Sequence, residues 1–216
     1  MTLTFSNMAK VDFPECPRID SGAGYPGPDP GPNGELAKTK RGLQMMNFKS
    51  IEYLKTGSPR QQLAYKELID LGIMQDLSEF NPVLTGTIPI GIDLPGSDLD
   101  IICECKGLDA FSGRLKELYT QKPGFRIRIK EFHGIPSVVA NFRADNFEIE
   151  IFGQSLPVEN QYAYRHMLIE YRLLEERGAD FRKEIIRFKM EGYKTEPAFA
   201  KVLGLKGDPY QVLLEL

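Results

Sequence analysis

The chain has 216 residues and a formal net charge of −3, with 42% hydrophobic and 26% charged residues. This length corresponds to one domain with an appendage or to two small domains, since a domain usually has roughly 100–200 residues. The composition is that of a globular protein that buries a core without disulfide or metal support. The weak negative charge argues against a protein that coats nucleic acid, and no apolar run reaches the ~18 residues of a membrane span.

The cysteines and the N-terminus indicate a cytoplasmic protein. Cys16, Cys103 and Cys105 show neither a disulfide framework nor a CxxC pair, which argues against disulfides and against a zinc site. The first residues lack the basic and then apolar pattern of a secretory signal. We therefore expect a cytoplasmic location and no membrane partner.

Residues 1–45 differ in composition from the rest of the chain. Residues 14–34 are dense in proline and glycine and have no periodic apolar face. Such a stretch buries too little apolar surface to offset the entropy of ordering. We expect a disordered leader over 1–45 and a single domain over 46–216, with Met45 or Met46 as the candidate natural start.

Hydrophobic periodicity predicts an α+β domain whose sheet core covers 46–155 and whose helical cap covers 156–216. The first helix has the clearest boundaries: Ser58 as N-cap, Pro59 at the first helical position, Gln61 as capping-box partner and Gly72 as the stop. Alternating or apolar runs predict strands over 82–85, 98–105, 125–131, 137–142 and 147–152. Further helices are predicted over 108–119, 158–177, 180–191 and 196–203, the last with Thr195 as its N-cap.

A glycine-threonine pair and a later Asp-x-Asp strand form the most informative pattern. Gly86-Thr87 follows the first strand, and Ser97-Asp98-Leu99-Asp100 opens the second. Asp98 and Asp100 lie two apart, so they share one face of the strand, where adjacent carboxylates repel unless a cation lies between them. Oxygen-preferring ions such as Mg²⁺ suit such ligands. The glycine permits close backbone approach, and the hydroxyl groups of Thr87 and Ser97 suit a phosphate.

A third carboxylate is expected for a two-metal phosphoryl-transfer site. Glu148 and Glu150 alternate with apolar residues along the last predicted strand, and either of them completes the cluster. We favour Glu150. The reaction class is nucleotidyl or phosphoryl transfer, with a carboxylate of the cluster taking a proton from the attacking hydroxyl.

Two further groups of residues have both a functional and a structural interpretation. Arg126, Arg128 and Lys130 alternate along one strand, as phosphate-facing groups or as the solvated face of a strand that buries Phe125, Ile127 and Ile129. On the helix over 158–177, Arg165 is a candidate clamp for a triphosphate and Tyr162 a candidate stacking platform for a base. His166 and Glu170 share the face of Tyr162 at i, i+4 spacing. The alternative is a packed helix whose Arg165 and Glu170 are merely solvated.

The pattern resembles the signature of the nucleotidyltransferase superfamily that includes DNA polymerase beta and the CCA-adding enzymes. Thr87 stands where serine or glycine is usual, and it keeps the hydroxyl. Residues from about Phe48 onward look like an uncharacterised, mainly bacterial nucleotidyltransferase-like domain of unknown function. The matching stretches are TGSPRQQLAY, GTIPIGIDLPGSDLDIIC, FEIEIFGQ, NQYAYRHMLIE, TEPAFAKVLGL and GDPY. A weaker similarity is to the GrpB-like proteins.

The resemblance implies a mixed β-sheet flanked by helices, with a C-terminal helical segment and an acidic cluster at one edge of the sheet. It does not imply a substrate. Our leading hypothesis is a Mg²⁺-dependent enzyme that moves a nucleoside monophosphate from an NTP, with ATP expected, to a hydroxyl acceptor. In that interpretation Asp98, Asp100 and Glu150 or Glu148 ligate metal. Gly86, Thr87, Ser97, Arg165 and Tyr162 bind the nucleotide. The alternative is a catalytically silent module that binds a nucleotide or a partner, for instance in a toxin–antitoxin or stress system; a nucleic-acid partner is not indicated by the charge.

Overall fold

A five-stranded mixed sheet forms the centre of the computed structural model, which describes residues 46–216. The prediction of a leader over 1–45 lies outside the described residues. The strand order is β1-β2-β5-β4-β3; β2 and β5 run parallel, and the other neighbours are antiparallel. The strands, β1 to β5, cover Val83–Thr85, Leu99–Glu104, Arg126–Phe132, Ile135–Arg143 and Glu148–Gln154. All five predicted strands are therefore present, within three residues of their predicted ends.

Helices flank the sheet and form the C-terminal segment. The α-helices, α1 to α6, cover Pro59–Leu71, Ile73–Asp76, Leu108–Tyr119, Tyr162–Met190, Thr195–Leu203 and Pro209–Val212. Short 3₁₀ turns cover Glu52–Thr56, Ser78–Phe80, Val158–Asn160 and Leu213–Glu215. The expected α+β architecture, a mixed sheet flanked by helices with a C-terminal helical segment, is confirmed. No helix among residues 46–216 is long and apolar enough to cross a membrane.

The predicted helix ends are confirmed at α1. The Ser58 hydroxyl accepts from the Gln61 amide at 3.2 Å, and the Gln61 side chain accepts from the Ser58 amide at 2.9 Å. Gly72 ends the helix in the left-handed region at φ 69°. At α5 the predicted cap is wrong, since Lys194 holds the N-cap position and no side chain caps the helix.

The long helix α4 contains the predicted break between two helices. Gly178 lies inside it with φ 79° and ψ −165°, a conformation that is not helical. The break divides α4 into the two segments that the sequence predicts over 158–177 and 180–191. Both segments contribute to the same apolar cluster, through Met167 and Leu174 before the break and through Ile185 after it.

Each face of the sheet has its own apolar core. One face packs against α1 and α3 through residues such as Leu68, Phe111, Leu115, Ile101 and Ile151. The opposite face packs against α4 and α5 through a second set, which includes Ile102, Val139, Met167, Leu174 and Phe199. The C-terminal helices therefore cover the face toward which Asp100 points, since Asp100 and Ile102 share a face of β2.

The prediction that Phe125, Ile127 and Ile129 are buried is wrong for Ile129, which is 54% exposed. Phe125 and Ile127 are half-buried. The reason is the strand order, because β3 is the outer strand and the helices cover it only in part. A strand at the edge of a sheet can have the same alternating apolar and polar residues as a central strand, while its apolar side chains stay partly exposed.

Gly153→Ala is expected to lower the free energy of unfolding by about 2 kcal/mol. A Cβ at this position on β5 would overlap the buried ring of Phe111, which has no room to move. The matched control is Gly113→Ala in α3, where a Cβ meets nothing within 4 Å. That substitution should stabilise the protein by about 0.5–1 kcal/mol, because alanine favours a helix. Urea denaturation of both variants measures the difference, and equal effects would contradict the packing described here.

Candidate active site

Five polar side chains form one row across the whole sheet. The strand register aligns Thr85 with Asp100, Asp100 with Glu150, Glu150 with Asn141, and Asn141 with Arg126. Residues at the same level of neighbouring strands point to the same face. The register therefore brings Asp100 and Glu150, 50 positions apart in the sequence, side by side on the face covered by the C-terminal helices.

Asp100 in this row and Asp98, two residues before it, occupy a poorly hydrated environment. Desolvation raises the pKa of Asp100 well above its usual value, and the neighbouring carboxylates of Asp98 and Glu150 raise it further. Desolvation also raises the pKa of Asp98, with a smaller contribution from Glu148. The Oδ2 atom of Asp98 is buried and has no hydrogen-bond partner within residues 46–216. Such a carboxylate gains from a cation.

The structure distinguishes the two candidate glutamates. Glu150 is buried, and its Oε2 accepts a hydrogen bond from the Asn141 amide at 2.8 Å. Arg128 donates to Asn141 at 2.9 Å and lies 4.0 Å from the same Oε2. Glu148 instead lies at the exposed margin, where it pairs with Arg143 at 3.2 Å. Of the two, Glu150 is the one held beside Asp100.

Gly86 lies directly against Asp100. Its φ is +83°, and a Cβ built there would lie 2.5 Å from the Asp100 Oδ2. Thr87 follows at the turn, where its carbonyl accepts from the Ile92 amide at 3.1 Å. The predicted Gly-Thr pair is therefore placed at the acidic end of the row.

Gly86→Ala is expected to impair the site more than the fold. The methyl group would displace the Asp100 carboxylate, and the left-handed backbone disfavours a side chain. We expect about a tenfold loss of Mg²⁺-dependent nucleotide affinity, measured by calorimetry, and about 1–2 kcal/mol of stability. The control is Gly72→Ala, which has a similar φ of +69° far from the row and should lower stability alone. Unchanged nucleotide affinity in Gly86→Ala would contradict this placement.

The loop over 86–97 is held from two sides. From α1, Gln61 donates to the carbonyls of Ile88 and Pro89 at 2.9 and 3.1 Å. From α4, Lys189 donates to the carbonyl of Ile92 at 2.7 Å, and Arg182 donates to that of Ile90. These bonds tie the loop to both flanking layers.

Ser97 has a structural role within this loop. Its hydroxyl oxygen accepts from the Leu94 amide at 2.9 Å, and its carbonyl accepts from Arg60 at 3.1 Å. The hydroxyl proton is the part of Ser97 that suits a phosphate oxygen. Its predicted contact with phosphate stays a prediction.

Tyr162 and Arg165 do not lie beside the acidic row. The Tyr162 ring stacks on His133 with centroids 4.0 Å apart, and the exposed Arg165 lies 5.9 Å from the Tyr162 ring. His133 is in the turn after β3, beyond the level of Gln154. Gln154 lies four positions after Glu150 on β5, so the two residues are roughly 13 Å apart along the strand. The structure therefore places Tyr162 and Arg165 at the end of the sheet that lies away from Asp100 and Glu150. The reason is that α4 begins shortly after β5 ends.

Three charged side chains of the C-terminal helices face the row and are buried or half-buried: Glu170, Lys189 and Glu196. The sequence did not predict this placement. Desolvation lowers the pKa of Lys189 to about 8, against the attraction of Glu170, Glu196, Asp93 and Asp100. Desolvation raises the pKa of Glu170 well above its usual value, and Glu196 raises it further. The i, i+4 spacing of Lys189 from the buried Ile185 was the available sequence signal.

His166 and Glu196 extend this charged group. The His166 Nε2 lies 2.8 Å from the Tyr210 carbonyl, and its Nδ1 lies 3.8 Å from Glu196. The His166 side chain is buried. Glu170 is buried as well and is not the solvated side chain that the interpretation of α4 as a packed helix expects.

The two carboxylates of the row and that of the neighbouring Asp98 fit a hard divalent cation by their chemistry. Asp98, Asp100 and Glu150 supply carboxylate oxygens, and the Asp98 Oδ2 is buried without a partner in the described chain. Over residues 46–216, no three acidic, histidine or cysteine side chains already surround one point as a metal cage does. The fit therefore rests on oxygen chemistry and on the shared row.

Comparisons with known proteins give a family and several distant structural similarities. Residues 66–216 match the family described as Domain of unknown function (DUF4269). No curated protein matches the chain.

Among solved structures, the Cid1 poly(U) polymerase bound to MgGTP is 15% identical, with a TM-score of 0.46 over 62% of this chain and 42% of that one. A cytoplasmic RNA terminal U-transferase is 16% identical, with a TM-score of 0.42 over 60% and 38%. The GLD-2/RNP-8 complex is 14% identical, with a TM-score of 0.43 over 67% and 56%. The chain spans less than two thirds of each of these structures.

Proposed function

The chain belongs to the family described as Domain of unknown function (DUF4269), and we propose that it is a Mg²⁺-dependent nucleotidyltransferase. The observation that supports this proposal is the register that aligns Asp100 with Glu150 while Gly86 lies against Asp100. An acidic row bordered by a Gly-Thr turn suits a metal-bound triphosphate.

Asp98 and the two carboxylates of the row each have a proposed role. Asp98 and Asp100 hold Mg²⁺, and Glu150 completes the ligand set. When bound, the metal neutralises charge on the phosphates and aligns the in-line attack. Asn141 and Arg128 orient Glu150, because both lie within reach of its Oε2.

The nucleotide and the acceptor approach from opposite ends of the row. Gly86 and Thr87, beside Asp100, bind the triphosphate of the NTP, for which ATP is the first candidate. The acceptor hydroxyl lies on the side of Glu150, which takes its proton. The acceptor oxygen forms a bond to the α-phosphorus, the bond from that phosphorus to the bridging oxygen of the β-phosphate breaks, and pyrophosphate leaves.

Transfer of labelled phosphate from α-³²P-ATP to components of a cell extract tests this proposal. Glu150→Gln should reduce labelling by about 100-fold, because the ligand and proton acceptor lose their charge. Glu131→Gln, an exposed carboxylate on the opposite face of β3, is the control and should change labelling by less than about threefold. Absence of labelling by the wild type, or equal losses in both variants, would count against the proposed roles.

A catalytically silent binding module is the second candidate, and Lys189 favours it. Its ammonium group is buried and is attracted by the charges of Asp93, Asp100, Glu170 and Glu196, so the protein itself supplies a cation to the acidic face. This module would bind the Mg²⁺–nucleotide complex without labelling any acceptor in the same assay.

A further inference from the structure

A small pocket opens next to the acidic row, on the side away from Gly86. Its volume is about 180 Å³, and its polar lining comes from Arg126, Asn141, Arg143 and Glu148. Pockets that enclose whole ligands measure about 300–1,000 Å³. This pocket is therefore large enough for a phosphate group with part of a sugar and too small for a nucleoside triphosphate.

The pocket is continuous with the proposed catalytic residues. Asn141 lines the pocket and donates to the Oε2 of Glu150 at 2.8 Å. Arg126 stands opposite Asn141 on the neighbouring strand. A molecule seated in the pocket thus lies on the same face as Glu150, within one strand of it.

The charge of the pocket favours an anion. The Arg126 side chain is exposed and makes no hydrogen bond or ion pair with any side chain of residues 46–216. Arg143 pairs with Glu148 at 3.2 Å, but both side chains are well exposed, at 73% and 49%. An exposed pair of this kind is worth about 0–1 kcal/mol, so Arg143 can exchange its partner for a phosphate at little loss. Arginine also presents two parallel donors that match phosphate oxygens.

We infer that Arg126 and Arg143, called here the basic ledge, bind a phosphate group of the acceptor, so that the acceptor is a phosphate-bearing hydroxyl compound. The role in transfer rests on the proposed nucleotidyltransferase activity, whereas phosphate binding by the ledge does not. A nucleotide and the 3′ end of an RNA strand share this chemistry, since each places a hydroxyl close to a phosphate.

Fluorescence anisotropy with a labelled hexaadenylate RNA, on the full chain without NTP, tests the ledge. Arg126→Gln/Arg143→Gln should weaken binding at least tenfold and lower the slope of log affinity against log salt by about 1–2. The matched control, Lys116→Gln/Lys183→Gln, removes two exposed charges on α3 and α4 and should change affinity by less than threefold. All four substitutions are on exposed side chains, so thermal unfolding should stay unchanged.

Competition identifies the source of the phosphate. Adenosine monophosphate should displace the RNA from the wild type, and adenosine should not. If the monophosphate competes about as well as an unlabelled RNA strand, the acceptor is a small nucleotide; if the strand competes at least tenfold better, it is an RNA end. Equal competition by adenosine and its monophosphate, or equal losses in the ledge and control variants, would overturn the inference.

The same assay separates this inference from the proposed function. Asp98→Asn/Asp100→Asn removes the proposed metal ligands but leaves the ledge intact, so RNA binding without NTP should be kept. If that variant and the wild type bind RNA equally and neither binds Mg²⁺–ATP, phosphate binding by the basic ledge is supported and the nucleotidyltransferase proposal is wrong. If the wild type binds Mg²⁺–ATP but not RNA or adenosine monophosphate, the inference about the basic ledge is wrong and the nucleotidyltransferase proposal is unaffected.

Discussion

Replacing Asp98 and Asp100 with asparagine is expected to abolish nucleotidyl transfer and at the same time to stabilise the metal-free protein. The loss of transfer should exceed about 100-fold, because even residues that only support a metal ligand contribute 10–100-fold. The gain in stability should be on the order of 1 kcal/mol at pH 7, since desolvation and mutual repulsion both oppose the two carboxylates there.

The pH dependence of stability gives this prediction a sign that can be checked. Both aspartates have a pKa raised above the unfolded value of about 3.9. The folded state therefore binds protons more tightly, and its stability falls as pH rises from that value through the raised folded pKa. The free energy of unfolding of the wild type should therefore increase when the pH is lowered from 7 to 5. The increase should be smaller in the double variant, which lacks the two carboxylates.

Urea denaturation at pH 5 and pH 7, in EDTA and in 10 mM Mg²⁺, measures both effects. Mg²⁺ should stabilise the wild type by linkage and leave the double variant unchanged. Asp180→Asn is the control, because its carboxylate is 95% exposed and forms an exposed ion pair with Lys183 at 2.9 Å. A double variant less stable than the wild type in EDTA would show that the two carboxylates support the fold and do not strain it.

Lys189→Met is expected to lower the free energy of unfolding by about 3 kcal/mol at pH 7 and by clearly less at pH 5. Methionine fills the volume but leaves the Ile92 carbonyl without its donor. It also removes the positive charge that lowers the pKa of Asp100 and of Glu170. Their pKa therefore rises further, and more stability is lost as pH increases from 5 to 7.

A double-mutant cycle identifies the source of this loss. Adding Glu170→Gln to Lys189→Met should restore part of the stability at pH 7, because one of the two uncompensated carboxyl groups is gone. Lys183→Met, on the exposed side of α4, is the control and should stay within about 0.5 kcal/mol of the wild type. A loss in Lys189→Met that is independent of pH would argue against its role as the counter-cation of the acidic face.

Local signals in the sequence predicted the elements well. The capping box of Ser58 and Gln61 and the left-handed Gly72 define α1 because capping acts over three or four residues. The break at Gly178 was visible for the same reason. The failure at Thr195 shows the limit of such signals, since α5 begins at this favourable capping residue and Lys194 takes the N-cap position.

Contacts between distant strands and helices could not be read from spacing. The shared face of Asp98 and Asp100 follows from strand geometry, but the alignment of Asp100 with Glu150 depends on how two parallel strands pair. The choice between Glu148 and Glu150 was open for that reason. The positions of Tyr162 and Arg165 also depend on which end of the sheet α4 starts from, and Lys189 reaches the row only because α4 folds back over the loop.

Calorimetric titration of Mg²⁺–ATP into the wild type and into Asp98→Asn/Asp100→Asn tests whether these two aspartates form the metal site. Binding to the wild type should require Mg²⁺ and should be lost in the double variant, while Glu148→Gln should bind as the wild type does. Binding that is equal in the wild type and the double variant would contradict the claim that these two aspartates form the metal site.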